Sequence, residues 1–163
     1  KRAVEEHRPV ALVLSRQNIK TLPALGTSRR EEAAQVSKGG YVVMDSAKPE
    51  VVMVATGSEV ATLVEGAELL AAEGISVRVV NVPSEGLFRD QPKSYQQTVL
   101  PQGVVRYGLT SGLPVTLLGL VGENGMIHGL DHFGYSAPYK VLDEKFGYNG
   151  QTVYEEVKKL ISK

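Results

Sequence analysis

Arg16 follows the apolar run Val10, Ala11, Leu12, Val13 and Leu14 and precedes Gln17 and Asn18, a placement that suits anion recognition. Five apolar residues in succession predict a strand buried on both faces, as in the middle of a parallel sheet covered by helices. Ligands of such sheets sit outside the carboxyl ends of the strands, so Ser15, Arg16, Gln17 and Asn18 are expected to face a crevice. A guanidinium there offers five donors in a rigid fork that matches phosphate or carboxylate. By position alone, the same arginine would also serve in a surface ion pair.

The other chemically able residues form weaker patterns. His128 and His132 are four positions apart, a spacing that binds a metal when it lies on a helix. Gly129, Gly134 and the flanking Met126, Ile127 and Leu130 predict strand and loop instead, so a surface or core role is expected. Ser58, in the run Thr56, Gly57, Ser58, Glu59, Val60, sits at an expected strand-to-helix turn but lacks the glycine that completes a nucleophile elbow. Its expected role is to cap the helix, with anion binding by the helix amides as the alternative. Asp131 precedes His132, yet no serine or cysteine completes a triad, no carboxylates pair with a catalytic signature, and no glycine-rich phosphate loop is present. No catalytic, cofactor-binding or metal-ligating residue is therefore expected within this chain.

Composition narrows the partners. The 163 residues suffice for one domain with a sizeable core, or one domain plus a fragment of another. With 18 basic and 18 acidic side chains the formal charge is zero, and no basic tract interleaves with aromatics, so neither nucleic acid nor a membrane is an expected partner. The absence of cysteine excludes disulfides and thiol chemistry and agrees with a reducing, cytoplasmic location. The longest apolar stretches are of strand length. The sequence opens on Lys1 with no signal peptide, and is expected to be a piece of something longer.

The pattern of elements is that of an α/β protein. Residues 1–8 read as a helix end or loop. Residues 21–38, with Pro23, Gly26, Thr27, Ser28 and a charged run from Arg29 to Glu32, read as a linker. From Gly39 onward, strands are expected at residues 41–44, 51–55, 75–82, 104–109 and 126–130. Val60, Leu63, Val64, Ala67, Leu70 and Ala71 fall on one face of an intervening helix. Thr56 with Glu59 has capping-box spacing, Ser58 is a rival cap, and Gly74 supplies a left-handed stop. A short helix is expected at residues 92–99, whereas the apolar stretch 113–121 contains Pro114 and Gly119 and has no clear state. Pro138 opens a helix lined by Tyr139, Leu142 and Phe146 and ended by Gly147. Thr152 and Glu155 form a second capping-box pair, before Val153, Val157, Leu160 and Ile161 on one helix face.

Five segments taken together resemble one family. In order they are residues 13–18 (Val-Leu-Ser-Arg-Gln-Asn), 39–43 (Gly-Gly-Tyr-Val-Val), 55–60 (Ala-Thr-Gly-Ser-Glu-Val), 77–84 (Val-Arg-Val-Val-Asn-Val-Pro-Ser) and 133–138 (Phe-Gly-Tyr-Ser-Ala-Pro). Their order and spacing resemble the C-terminal part of transketolase over nearly the whole chain. The resemblance implies a three-layer α/β/α fold with a mostly parallel, mixed sheet of about five strands. It implies that residues 1–38 are the tail of the pyrimidine-binding domain plus a linker, and residues 39–163 the C-terminal domain. The parent would be a homodimer that uses thiamine diphosphate and Mg2+ to transfer a two-carbon ketol unit between sugar phosphates. Arg16 matches the family's arginine for the substrate phosphate. The family's cofactor site and catalytic histidines lie outside this stretch, so the fragment alone is expected to be inactive and to bind neither cofactor. The segment Leu109, Thr110, Ser111, Gly112 departs from the family pattern, where an acidic residue commonly stands at the position of Thr110 and a tryptophan follows. The alternative is a noncatalytic dimerisation or regulatory domain of another thiamine enzyme, such as a deoxyxylulose-phosphate synthase or the beta subunit of a 2-oxo acid dehydrogenase.

Overall fold

The computed structural model describes residues 2–7, 9–15, 18–26 and 28–162. In chain order its elements are α1 (Arg2–Glu5), α2 (Arg29–Ala33), β1 (Tyr41–Met44), β2 (Val51–Ala55), α3 (Glu59–Ala72), β3 (Val77–Asn81), α4 (Glu85–Arg89) and α5 (Lys93–Val99). They continue with β4 (Val105–Leu109), α6 (Leu118–Val121), β5 (Met126–His128), α7 (Tyr139–Phe146) and α8 (Gly150–Ile161). Turns of 3-10 helix occupy Ala34–Lys38 and Pro114–Leu117, the second within the stretch whose sequence left its state open.

Every residue of β2 is fully buried, because its side chains alternate between two apolar layers. Val51, Met53 and Ala55 pack with Leu63, Ala67 and Leu70 of α3 and Val153 and Val157 of α8. Val52 and Val54 face Phe88 of α4, Val99 of α5 and Leu120 and Val121 of α6. The five strands run in the order β1-β3-β2-β4-β5. β2 pairs in parallel with β3 (Val51 opposite Val77) and with β4 (Val51 opposite Val105), and β4 pairs in parallel with β5. β1 is an antiparallel edge with a bulge between Val42 and Met44. This is the three-layer mixed sheet expected from the sequence.

The helix ends show which local signals prevailed. Gly74, at φ +84°, closes α3 in a Schellman arrangement: its amide donates to Ala71 O at 2.9 Å and the Ile75 amide to Leu70 O at 3.1 Å. At the start of α3, by contrast, neither Thr56 nor Ser58 caps. Gly57 at φ +65° turns the chain so that Ser58 already has helical dihedrals (φ −63°), whereas a capping side chain needs an extended backbone. α8 is capped by Asn149 rather than by Thr152. The asparagine is extended and its Oδ1 accepts from the Thr152 amide at 2.9 Å, so Thr152 belongs inside the helix. Ala71, expected on the buried face of α3, is exposed, and Gly66 is buried in the contact with α8.

One expectation about the first 38 residues is overturned: the strand at residues 10–14. Residues 9–15 carry no regular structure, and Leu12, Val13 and Leu14 are 82%, 95% and 79% exposed. A strand needs a hydrogen-bonded neighbour and a doubly apolar one needs cover on both faces. No described residue gives this run either. The expected linker is ordered in part. Ser28 caps α2, Glu32 Oε1 accepts from the amides of Leu25 and Gly26 at 2.7 and 2.8 Å, and Arg29 pairs with Glu32 at 2.9 Å. Arg29 also donates to Pro23 O and, at 2.9 Å, to Val43 O of β1. The charged run within the expected linker is what moors this segment to the sheet.

α3 and α8 meet at Gly66 and Gly150. A Cβ on Gly66 would lie 2.5 Å from Val153 Cγ1 and 2.8 Å from its Cβ, and one on Gly150 would lie 3.1 Å from the Gly66 nitrogen. Gly66→Ala is therefore expected to destabilise by about 1–3 kcal/mol through overpacking, outweighing the roughly 1 kcal/mol that alanine offers a helix. Thermal denaturation checks it, and a raised Tm would refute this account of the contact.

Candidate functional site

The chain leaves β2 into α3 on one face of the sheet and reaches β4 through α4 and α5 on the other. Where crossovers diverge in this way, a crevice opens outside the carboxyl ends of the two central strands. A cleft of about 770 Å³ lies there, lined by Ser58 and Glu59 after β2, Ser111 after β4, and Tyr139, Lys140 and Asp143 of α7. Ser15, Asn18, Ile19 and Lys20 close its remaining side. Arg16 and Gln17, between them, lie outside the described residues.

The described lining is more acidic than basic. Glu59, Glu65, Asp143 and Glu144 face Lys20 and Lys140, and Lys20 is already paired with Glu65 at 3.1 Å. Burial holds the Asp143 carboxyl above its ordinary value, with the nearby Glu59 charge adding to the effect. Ser58 donates to Glu59 Oε2 at 3.3 Å and has neither the capping bond nor a histidine partner. Thr110, the position of departure from the family pattern, closes its own turn: its Oγ1 accepts from the Gly112 amide at 3.1 Å.

Beside the cleft lies a half-buried polar group of which the sequence reading singled out only His128. His128, on β5, donates from Nδ1 to the Glu156 carboxylate of α8 at 3.1 Å, and from Nε2 to Phe146 O at the end of α7 at 2.8 Å. Both ring nitrogens face acceptors, an arrangement that favours the protonated imidazole. Its hydrogen bond to Glu156 raises its affinity for the proton against the opposing effect of burial. Burial raises the Glu156 carboxyl, but the bonds from His128 and Tyr107 outweigh it and hold the group below its ordinary value. Tyr107 donates to Glu156 at 2.7 Å, and its hydroxyl is pushed up strongly, first by burial and then by that carboxylate. Tyr148 lies edge-on to His128 with centroids 5.1 Å apart, and donates to Thr110 O at 2.9 Å. Glu156 sits one position before the buried Val157, the one sequence signal that could have flagged it.

The two histidines are not brought together as ligands. His132 donates from Nδ1 to Phe133 O at 2.8 Å and stacks near Tyr135 and Phe146. Among the described residues no group of three or more histidine, acidic or cysteine side chains converges to hold a metal. Both nitrogens of His128 are engaged, so the group has the form of a tie between elements and not of a general base with a free nitrogen.

Residues 39–149 match the family described as the transketolase-like C-terminal domain. Transketolase 1 of Escherichia coli K12 is 41% identical over 155 residues, and Transketolase 2 of Vibrio parahaemolyticus is 41% identical over 156. Each match covers 94% of this chain and 23% of the relative, so the chain spans about a quarter of those proteins. A solved transketolase from Leishmania mexicana has a TM-score of 0.79 at 34% identity, covering 90% of this chain and 20% of that one. A Pichia stipitis transketolase in complex with sedoheptulose 7-phosphate has a TM-score of 0.76 at 30% identity, with the same coverage. Among the described residues no helix is long and apolar enough to cross a membrane.

The His128 pair makes stability depend on pH on both sides. Its contribution is full between the ordinary values of 4.5 for glutamate and 6.5 for histidine. It declines as pH rises through the raised value of His128, and as pH falls through the lowered value of Glu156. His128→Gln is expected to cost about 2 kcal/mol near pH 6.5, within the range for hydrogen bonds to charged groups, and to flatten the alkaline decline in Tm. An alkaline slope identical in variant and parent would show that the pair does not ionise as described.

Proposed function

The chain belongs to the transketolase family as its C-terminal part, and on that premise we propose that the full-length protein transfers a two-carbon ketol unit from a ketose phosphate to an aldose phosphate. In this reading residues 1–38 end the pyrimidine-binding domain and its linker, and residues 39–163 form the C-terminal domain. The parent enzyme is a cytoplasmic homodimer. Thiamine diphosphate, held with Mg2+ in the parent, supplies the carbon nucleophile and electron sink. The described residues do not fit that group: they bring together no metal-ligand set and their main cleft is acid-rich, so no step is assigned to it within this chain.

What this chain contributes is Arg16, as the handle for the substrate phosphate. The observation that carries this is the segment Ser15, Arg16, Gln17, Asn18 with its match to the family, supported by the sugar phosphate complex of a similar protein. Ser15 and Asn18 line the cleft, where four carboxylates outnumber Lys20 and Lys140 and Lys20 is already paired with Glu65, so this reading assigns the phosphate to Arg16. Binding energy from a phosphate remote from the reacting carbon orients the sugar.

Arg16→Ala in the full-length enzyme is expected to cost about 1.5–3 kcal/mol toward phosphorylated substrates, or roughly 10- to 150-fold in kcat/KM. Unphosphorylated sugars should be nearly unaffected. Steady-state kinetics with both substrate classes decides, and equal loss on both would sink the phosphate role.

A further inference from the structure

Residues 131–141 are all exposed, although they contain Phe133, Tyr135, Tyr139 and Val141. Phe133 is 97% exposed, and α7 has no buried residue despite Leu142 and Phe146 on its sequence. The loop is nevertheless held in shape. His132 and Tyr135 both pack against Phe146, with centroids 5.5 and 5.7 Å away, and the Lys145 ammonium lies 4.7 Å from the centre of the Tyr135 ring. Its neighbours in sequence are thus folded down onto α7, while Phe133 is displayed outward on an ordered support. An apolar side chain presented in this way has the form of an interface anchor.

The occupant is indicated by where the chain enters the domain. Ser15, Asn18, Ile19 and Lys20 line the same cleft as Tyr139 and Lys140, and Lys20 is tied to Glu65 of α3. The uncovered apolar run of residues 10–14 immediately precedes Ser15, so it joins the domain at the edge of the cleft that α7 walls. Whatever body covers that run is tethered at the cleft wall formed by α7, the helix on which the loop is supported. We propose that the loop of residues 130–138 and the first turns of α7 are a docking face for the preceding domain of the same polypeptide, with Phe133 as its anchor. This rests on reading the chain as the C-terminal part of a longer transketolase, which the kinetics of Arg16→Ala tests separately.

The test compares hydrogen exchange of residues 130–141 in this 163-residue chain, in the full-length protein and in full-length Phe133→Asp. In the full-length protein exchange is expected to slow by about tenfold or more, as local opening is suppressed. In Phe133→Asp it should return to within about twofold of the short chain, with residues 51–55 still protected as the sign of an intact core. Sedimentation of the same variant identifies the covering body. Retained dimers with lost protection support the intrachain face. Dissociation into monomers whose loop was protected only in the dimer overturns it in favour of a second copy, and unchanged exchange between the short and full-length chains overturns it outright.

Discussion

The structure depends on the double burial of β2. Five consecutive residues with no solvent contact require a strand on each side and a helical layer on each face. Once β3 and β4 flank β2 and the crossovers run to opposite faces, the crevice at its carboxyl end follows from topology. The cleft bounded by Ser58 and Ser111 is thus a consequence of how the core is built. Its polar character comes from the loops that surround it.

The layer formed by α3 and α8 is secured by two different contacts. Gly66 and Gly150 let the helix backbones approach closely, which strengthens dispersion between Val153 and the sheet. Tyr107, Glu156 and His128 then join β4, α8 and β5 through hydrogen bonds around a partly buried carboxylate. His128 carries the tie on to the end of α7 through Phe146 O. A half-buried charge tolerated in this way holds the geometry of α7, and α7 supplies one wall of the cleft.

Much of this was legible in local pattern. All five strands of the sheet, the α3 stripe of Val60, Leu63, Val64, Ala67 and Leu70, and the stops at Gly74 and Gly147 follow from apolar spacing and from glycine's access to left-handed dihedrals. Capping was less legible, because Thr56, Ser58, Asn149 and Thr152 are all competent residue types. The choice among them rests on backbone angles one residue away. The role of Arg29 and Glu32 was hidden for another reason: a charged pair has the same composition whether it is solvated or moored to a β1 carbonyl.

The sequence by itself determined the class of fold, the order of its elements and the family, because periodicity and motif spacing are properties of neighbouring residues. It also determined that residues 10–14 require cover, since five apolar side chains in a row state that need wherever the cover comes from. Only the tertiary structure decided which strands pair, that Glu156 meets His128 across 28 positions, and that the cleft around Ser15 and Asn18 is acid-rich. Those are non-local contacts: their partners are chosen by packing, and no local signal encodes a distance through space.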